Sequence, residues 1–587
     1  MTEPLASGMQ INQPEHLISN PGCRRTLAWV VLIFIFALYA FCLARIHPTR
    51  FFGLSEDDSI YFSSAREIAQ GRGYVLPSVP GTPAATKYPI LYSWILSWVW
   101  RWNANFPDNL RLAAALNGAF GIAFLTMAFV FLRSLKGLGD VAALTITAFC
   151  AVNPTVLFLS ANLMSDVLFA ALTLGACILA AKTTEKDSQA GTAVLCGVVT
   201  GISILARTLG APVAAGLYFA ILLRSGWRKS TIFAACVVPF AAAIFARSIL
   251  AVPQMPAVAA PPCADSWRMT WLYYTSYTGY WKADTFSNHV LGQTVKSGVS
   301  SVLFQPGIYV FNPSFIRPAL LGFVLLVIVS ALAVRGLVRQ AHAGGWLPIH
   351  LALGCYLLPV IVWNYAASGR FLIPFLPLLL AGIWVEFRYV IAQIRASVQR
   401  PHSIAAKVAA GFFCAIGAAL AIGAGISCWR GTQSNTQLSE SRASLLEDKR
   451  EAYSWLQQNS PADARILAYE DVSAYLYSGR LGMRPTIFSP AGIYRPEIFN
   501  RELSCLTSSA EPIGATFWLV ADDDFGYEWE PANSRARQLE REMEGRVQPL
   551  FRSSRGYVRM YEPQKPGRQH GQNMCLGNVT KGSSEAK

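Results

Sequence analysis

The chain has 587 residues, of which 53% are hydrophobic and only 14% are charged, whereas soluble chains carry roughly 25% charged residues. Its mean hydropathy is +0.35. Because so little charge cannot cover this much apolar surface in water, the composition excludes soluble multidomain, disordered, collagen-like, coiled-coil and small disulfide-rich proteins. It predicts a polytopic membrane protein.

The net charge of +15 is distributed in a way that argues against nucleic-acid binding. Many Arg and Lys residues form short clusters at the ends of apolar runs, as the positive-inside rule produces in cytoplasmic loops. These clusters are Arg24 and Arg25; Arg133 and Lys136; Arg224, Arg228 and Lys229; Arg335 and Arg339; and Arg388, Arg395, Arg400 and Lys407. We therefore expect no nucleic-acid partner.

About eleven segments are candidate membrane spans, since about 20 apolar residues cross the hydrocarbon core. They lie near 27–46, 110–132, 140–160, 164–182, 191–207, 209–224, 231–251, 317–335, 346–364, 370–388 and 406–429. The first is too long for a cleaved signal peptide. With residues 1–26 in the cytoplasm, alternation places every basic cluster on the cytoplasmic side. Residues 27–429 then form the transmembrane domain, and the rest of the chain lies outside.

Two outside loops are long, at 47–109 and 252–316, and both are rich in Trp and Tyr. Residues 88–102 of the first loop are typical of a helix that lies in the membrane interface. The second loop has the composition of an interfacial aromatic belt.

From residue 430 the composition becomes more charged and the long apolar runs stop. The pattern predicts helices at 447–459 and 534–544 and strands at 465–470, 516–521 and 556–562. We predict a mainly α-helical membrane protein with about eleven spans and a small extracytoplasmic α/β domain at 430–566, followed by a flexible tail at 567–587. Cys505 and Cys575 lie outside the membrane and are a candidate pair that sequence alone does not establish.

Acidic residues beside the membrane are the first candidates for chemistry. Glu56, Asp57 and Asp58 follow the first span, and Asp166 lies at the outer end of the fourth. Capping of the helices that begin there is the structural alternative for both places. An ionisable residue at membrane depth favours a functional role. The topology puts Asp57 and Asp166 on the same face, where two carboxylates provide a general base and an electrostatic or metal-binding partner.

Three cations lie on the same outer face against the positive-inside bias: Lys87, Arg207 and Arg370. Snorkelling to lipid headgroups is the alternative for each of them. Together they are suited to a phosphate or diphosphate, since Arg offers bidentate contacts and Lys a point charge.

Four motifs occur in an order that resembles the C-type glycosyltransferase superfamily. They are D-D-x-x-Y-x-x-x-A-x-x-x-x-x-G at 57–71, K-Y-P-x-L-Y at 87–92, S-D-x-L at 165–168 and R-F-L-x-P-x-x-P at 370–377. The match resembles the branch of lipid A aminoarabinose transferases, protein O-mannosyltransferases and rhizobial lipopolysaccharide galacturonosyltransferases. The chain departs from the aminoarabinose transferases at Tyr88-Pro89-Ile90, where they have consecutive prolines.

The resemblance implies a donor sugar linked to polyprenyl phosphate and assigns roles to this chain's residues. Asp57, with Asp58 beside it, and Asp166 are the implied catalytic acids, and Lys87, Arg370 and Arg207 the implied donor-phosphate ligands. The motif tyrosines Tyr61, Tyr88 and Tyr92 are expected to contact substrate. No metal ligand is assigned: we expect no obligatory cofactor, with a divalent cation left open, because His47 and His289 are isolated.

A sugar on polyprenyl phosphate is already activated, so the enzyme has to deprotonate an acceptor hydroxyl and neutralise the departing phosphate. The sequence contains no Rossmann fingerprint or P-loop for a nucleotide sugar. We expect an inverting glycosyltransferase in a bacterial-type inner membrane that acts on a lipid, polysaccharide or protein acceptor at the outer face. The alternatives are a transporter or flippase for a lipid-linked or anionic substrate, a silent scaffold, and transfer of a whole glycan.

Overall fold

The computed structural model describes residues 21–563, apart from 136, 257–262, 313–318, 343–346, 366–368, 399–403 and most of 527–548. The predicted helix at 534–544, the tail and Cys575 therefore lie largely or wholly outside the described residues. The α-helices, numbered in chain order, are α1 Pro21–Arg45, α2 Asp57–Ala69, α3 Leu91–Trp102, α4 Leu110–Ser134, α5 Asp140–Val152, α6 Pro154–Ala161, α7 Asp166–Thr183, α8 Ala190–Ala206, α9 Gly210–Ser225, α10 Trp227–Leu250, α11 Ala264–Thr275, α12 Tyr277–Trp281, α13 Leu291–Val310, α14 Ala319–His342, α15 Leu347–Ile361, α16 Gly369–Leu372, α17 Leu376–Val398, α18 Ile404–Asn459, α19 Asp471–Ser478, α20 Pro496–Ser504 and α21 Ala510–Ile513. The strands are β1 Arg465–Ala468, β2 Leu481–Met483, β3 Phe517–Ala521, β4 Phe551–Arg552 and β5 Val558–Tyr561.

Six of the described helical segments are long and apolar enough to cross a membrane: α1, α4, α7, α10, α14 and residues 369–394 of α16–α17. The pair α5–α6 would be a seventh span, and α8, α9 and α15 are shorter apolar helices. Each of the eleven predicted segments overlaps a helix. By length and composition alone, six or seven spans are found among the described helices, so the predicted count of eleven is not confirmed.

The helical segment that precedes α7 is interrupted at Asn153 and Pro154, which separate α5 from α6. The axes of α5 and α6 differ by 54°, because a proline cannot donate the backbone hydrogen bond that would continue the helix. The Asn153 side chain accepts a hydrogen bond from the Thr155 amide at 3.1 Å and donates one to the Tyr309 carbonyl at 3.0 Å. This asparagine caps α6 and fixes it to the end of α13.

Small residues allow the short apolar helices to pack closely. A methyl group in place of the hydrogen at Gly216 of α9 would collide with the backbone of α15 at Leu351 and Ala352. The same holds for Gly197 of α8 against Phe233 of α10. Close backbone approach of this kind is the usual basis of helix association in membranes.

Helix α3 has two unlike faces. Trp94, Trp98 and Trp102 recur every fourth residue and are exposed, whereas Leu96 and Trp100 are buried. A short amphipathic helix with an aromatic outer face is suited to the membrane interface, as its sequence predicts.

Helix α18 continues without interruption through the predicted domain boundary at residue 430 and absorbs the predicted helix at 447–459. No proline occurs between Ile404 and Asn459. The helix therefore continues where the sequence becomes more charged after residue 430. Its polar half carries Arg442 and Lys449, which both pair with Glu470 and Asp523 at 2.8–3.2 Å.

The strands form one mixed sheet in the order β2-β1-β3-β5-β4. β1 pairs parallel with β2 and β3, and β5 pairs antiparallel with β3 and β4. The strands β1, β3 and β5 lie within the three segments predicted from sequence. Their buried residues alternate between two cores. Ile466, Ala468 and Leu519 pack on α18, and Leu467 and Trp518 pack on residues of α2, α11 and the 74–85 loop. The second face therefore covers the long loops.

A disulfide joins Cys263 to Cys505 across 242 residues of sequence. The candidate pairing of Cys505 with Cys575 is therefore wrong in this structure, because Cys505 is already bonded. Sequence spacing cannot reveal the true partner, since only folding brings the start of α11 beside the end of α20.

Candidate active site

A cavity of about 260 Å³ lies where the start of α2, the segment at 87–89, the α8–α9 turn and the ends of α15 and α16 meet. Six of the nine residues predicted to form the site line it, and a seventh, Asp166, pairs with two of those six. Its lining consists of Asp57, Tyr61, Lys87, Tyr88, Pro89, Arg207, Thr208, Leu209, Pro212, Tyr277, Pro359, Val360, Trp363, Arg370 and Phe371. Charged and aromatic groups thus meet an apolar wall from the tops of α9 and α15.

Arg370 links the two acids that the sequence placed on one face. Its Nη2 lies 2.8 Å from Asp57 Oδ2, and its Nε lies 3.0 and 3.1 Å from the two oxygens of Asp166. The backbone that carries Arg370 is fixed on both sides, because Tyr309 donates to the carbonyl of Gly369 and Tyr356 to that of Phe371. The guanidinium is thus held between carboxylates from α2 and α7.

Arg207 joins this group from the end of α8. Its Nη1 is 2.7 Å from Asp166 Oδ2, and both side chains are largely buried. The Asp166 carboxylate, at the first residue of α7, is thus engaged by two arginines, which goes beyond the helix-capping alternative. Buried carboxylates are ordinarily paired in this way.

Lys87 is 8% exposed, and its Nζ has no hydrogen-bond partner among the described residues. The ammonium lies over aromatic rings, 3.4 Å from the ring centre of Tyr273 and 5.0 and 5.2 Å from those of Tyr88 and Tyr277. Burial lowers the pKa of Lys87 to about 8. A cation without hydrogen-bond acceptors is a natural ligand for an incoming anion.

The Asp57 carboxylate is ionised at neutral pH. Burial raises its pKa, but the charges of Arg370 and Lys87 and a hydrogen bond from the Tyr88 hydroxyl outweigh burial and hold the pKa below its ordinary value. An ionised carboxylate beside several cations can accept a proton or stabilise positive charge.

Asp58 and Tyr92 do not line the cavity. Asp58 accepts hydrogen bonds from the amides of Gly53 and Ser59 at 3.0 and 2.6 Å, and burial raises its pKa to about 8. Tyr92 donates to Asn117 Oδ1 at 2.9 Å. Successive helical residues point about 100° apart, so Asp57 and Asp58 face different surroundings, and Asp58 supports the loop that precedes α2.

Tyr61 and Tyr88 do line the cavity. The Tyr61 hydroxyl lies 3.2 Å from Ser165 Oγ, next to Asp166. The segment that carries Lys87 and Tyr88 is held by Arg247, which donates to the Tyr74 and Ala85 carbonyls at 2.5 and 3.1 Å.

Sequence reasoning missed several residues at this site. Tyr277 and Trp363 line the cavity with their ring centres 5.0 Å apart. Glu56 is one of the three candidate acids but has no role assigned from sequence; it lies beside the cavity and pairs with Arg484 at 2.9 Å. The aromatic composition of the 252–316 loop is a signal for Tyr277, but the same composition is typical of a membrane belt. We find no local signal in the sequence for Arg484.

The arrangement does not fit a divalent cation between Asp57 and Asp166. Arg370 occupies the position between the two carboxylates, and an ion there would have to displace the guanidinium. Nowhere in the described part of the chain do three or more His, Cys, Asp or Glu side chains converge as metal ligands would. We therefore derive no chemical step through a metal.

No protein-family model matches this sequence, and no curated protein matches it either. Among solved structures, ArnT from Cupriavidus metallidurans bound to undecaprenyl phosphate is 11% identical and aligns with a TM-score of 0.48 over 93% of this chain and 100% of its own. The apo oligosaccharyltransferase of Archaeoglobus fulgidus is 12% identical, with a TM-score of 0.50 over 84% of this chain and 70% of its own. At such identities the second match speaks for the fold alone. The chain has the C-type glycosyltransferase fold that its motifs predicted.

Proposed function

We propose that this protein is an integral-membrane inverting glycosyltransferase that moves a sugar from a polyprenyl-phosphate donor to a hydroxyl of a lipid, polysaccharide or protein. The observation that carries the proposal is the cavity in which Arg370 joins Asp57 and Asp166 while Arg207 and Lys87 flank them. A base and a set of phosphate ligands in one place are what this reaction requires.

The charges of the site match a phosphodiester donor. Lys87, Arg207 and Arg370 carry three positive charges against the two negative charges of Asp57 and Asp166, which leaves one positive charge. A sugar linked to polyprenyl phosphate carries one negative charge. When the sugar leaves, the phosphate gains a second negative charge and the acid that takes the proton loses one. The total stays balanced through the reaction, so the site needs no additional cation.

The chemical step follows from this placement. The acceptor oxygen attacks C1 of the sugar from the side opposite the phosphate, and its proton passes to Asp57. The bond between C1 and the phosphate oxygen breaks, and the electron pair stays on the phosphate, where Lys87, Arg207 and Arg370 stabilise it. One displacement inverts the configuration at C1.

Donor binding prepares the base in this scheme. Asp57 Oδ2 now accepts a hydrogen bond from Arg370 at 2.8 Å, and Oδ1 one from Tyr88. A donor phosphate competes for Arg370, so its arrival frees Asp57 Oδ2 for the acceptor hydroxyl. Donor is therefore expected to bind before acceptor.

We place the site on the extracytoplasmic face of a bacterial-type inner membrane that about eleven helices span, with the N-terminus in the cytoplasm. Residues 430–566 form an outer domain in this proposal. The disulfide Cys263–Cys505 supports this orientation, because structural disulfides persist in oxidising compartments. It joins the 252–316 loop to the sheet region, and Arg484 joins that region to Glu56 of the first loop.

Purified protein in nanodiscs, supplied with a panel of polyprenyl-phosphate sugars and candidate acceptors, tests the proposal through release of polyprenyl phosphate. The wild-type protein is expected to release polyprenyl phosphate with at least one sugar. Asp108→Asn is the control and is expected to do so at the wild-type rate, because Asp108 is exposed and lies in the same loop but outside the cavity. Absence of donor consumption across the panel, together with movement of lipid across liposomes, would make the protein a transporter instead.

A further inference from the structure

The three consecutive acids at the start of α2 diverge. Glu56 has a positive φ of 53° with ψ of −46°, a backbone conformation that is uncommon for a residue other than glycine and clusters at functional sites. The bend sends Glu56 away from Arg370 while Asp57 faces it. Glu56 is 3% exposed, so its charge requires partners that the protein itself supplies.

Those partners come from two distant segments. The Tyr273 hydroxyl of α11 donates to Glu56 Oε2 at 3.0 Å. Arg484, directly after β2, approaches the same oxygen with its Nη2 at 2.9 Å. The Arg484 guanidinium also lies 4.0 Å from the ring centre of Tyr469, so the sheet region holds this arginine in place.

The contacts of Glu56 extend to Lys87, because the Lys87 ammonium lies 3.4 Å from the ring centre of Tyr273. The sequence of contacts is Arg484, Glu56, Tyr273 and Lys87. The first member belongs to the C-terminal region and the last lines the cavity.

We propose, on the basis of the proposed function, that Glu56 and Arg484 are positioning residues that hold Lys87 over Tyr273 as a cation directed at the donor phosphate. The C-terminal sheet region is thereby a working part of the active site and not an appended domain.

Electrostatics give the pair opposite effects on Lys87. Burial lowers the pKa of Lys87, and Glu56 contributes the strongest opposing charge, whereas Arg484 lowers the pKa further. Other groups that face Lys87 are Asp57 from α2, Arg370 from α16, Tyr88 beside it, Tyr273 from α11 and Tyr277 from α12. Loss of Glu56 therefore discharges Lys87 at lower pH, and loss of Arg484 leaves it charged to higher pH.

The test is the pH profile of kcat/KM for the donor in Glu56→Gln and Arg484→Gln. The alkaline limit is expected to fall by about one pH unit in the first variant and to rise in the second. In Glu56→Gln the KM for donor is expected to rise about fivefold at pH 8, because the charged fraction of Lys87 falls from about one half to about one tenth, and to rise much less at pH 6.5. Alkaline limits that are unchanged in both variants, or that shift in the same direction in both, would overturn the proposal.

Two further variants separate positioning from folding. Tyr273→Phe keeps the ring and removes the hydroxyl, so it is expected to lower the alkaline limit like Glu56→Gln but less. Arg480→Gln is the matched control: this buried arginine of the same region bonds Ser460, Gln457 and Ser478 and is expected to leave the limit unchanged.

A readout without turnover distinguishes failure of this inference from failure of the proposed function. The pH dependence of Lys87 acylation, followed by peptide mass spectrometry, reports its pKa directly. Oppositely shifted Lys87 titrations in the two variants support the positioning pair even if no sugar donor is consumed. Unshifted titrations in an enzyme that turns over donor would overturn the pair and leave the transferase intact.

Discussion

Arg370 Nη2 lies 2.8 Å from Asp57 Oδ2 although 313 residues separate the two in sequence. The same guanidinium binds both oxygens of Asp166. Arg370, just before α17, therefore connects Asp57, the first residue of α2, with Asp166, the first residue of α7. A planar guanidinium makes these contacts in a fixed fork, which an ammonium cannot reproduce.

Arg370→Lys is therefore expected to lower kcat/KM for the donor by about 100- to 1,000-fold, the usual cost of removing a group that stabilises developing charge. Steady-state kinetics in nanodiscs measure it. Arg388→Lys, at an exposed site on α17, is the control and is expected to match wild type. An unimpaired Arg370→Lys would mean that the arginine is structural.

The wild-type rate is expected to depend on pH through Lys87 and Asp57. Because the pKa of Lys87 is lowered to about 8, its positive charge is lost as pH rises through that value, and kcat/KM falls. The pKa of Asp57 lies below its ordinary range, so the base stays ionised and activity persists down to about pH 5. The kcat/KM profile reports the free enzyme. An alkaline limit above pH 10 would contradict a role for Lys87.

Removal of metal is expected to have little effect. Since Arg370 lies between the two carboxylates, EDTA should leave donor turnover within about twofold of the untreated enzyme. Dialysis against chelator, followed by readdition of Mg²⁺, Mn²⁺ or Zn²⁺, measures this. Loss of activity on chelation and recovery with one of these ions would refute the charge balance described above.

The disulfide is expected to stabilise the outer region. Cys263→Ser should lower the free energy of unfolding by about 2 to 5 kcal/mol, because it releases α11 from the end of α20. Thermal unfolding in nanodiscs measures the loss, and Cys42→Ser, at a free cysteine of α1, is the control. Non-reducing peptide mapping should recover Cys263 joined to Cys505. A peptide that joins Cys505 to Cys575 would contradict the structure.

The residues predicted from sequence and those missed differ for a physical reason. Asp166, Arg207 and Arg370 break a rule of membrane composition or topology, and such exceptions are visible in one sequence. Glu56 is visible as a candidate acid, but its pairing with Arg484 is not, because the two lie 428 positions apart and no local pattern encodes the contact. The same limit applies to the Cys263–Cys505 bond.

Backbone features divide in the same way. Three of the five strands of the C-terminal region, β1, β3 and β5, are visible as short apolar runs. The continuity of α18 across residue 430 is not visible, because hydropathy reports the surroundings of a helix and not its end. The bend at Asn153 and Pro154 was readable from the proline, yet the apolar run suggested one unbroken span.

Single-turnover release of polyprenyl phosphate by wild type and Asp57→Asn, with donor affinity measured separately for both, tests whether Asp57 is the catalytic base. Release is expected to be at least about 1,000-fold slower in Asp57→Asn. The donor dissociation constant is expected to stay within about threefold of wild type, because Lys87, Arg207 and Arg370 remain. Release at the wild-type rate by Asp57→Asn would contradict the assignment of the base and, with it, the proposed mechanism.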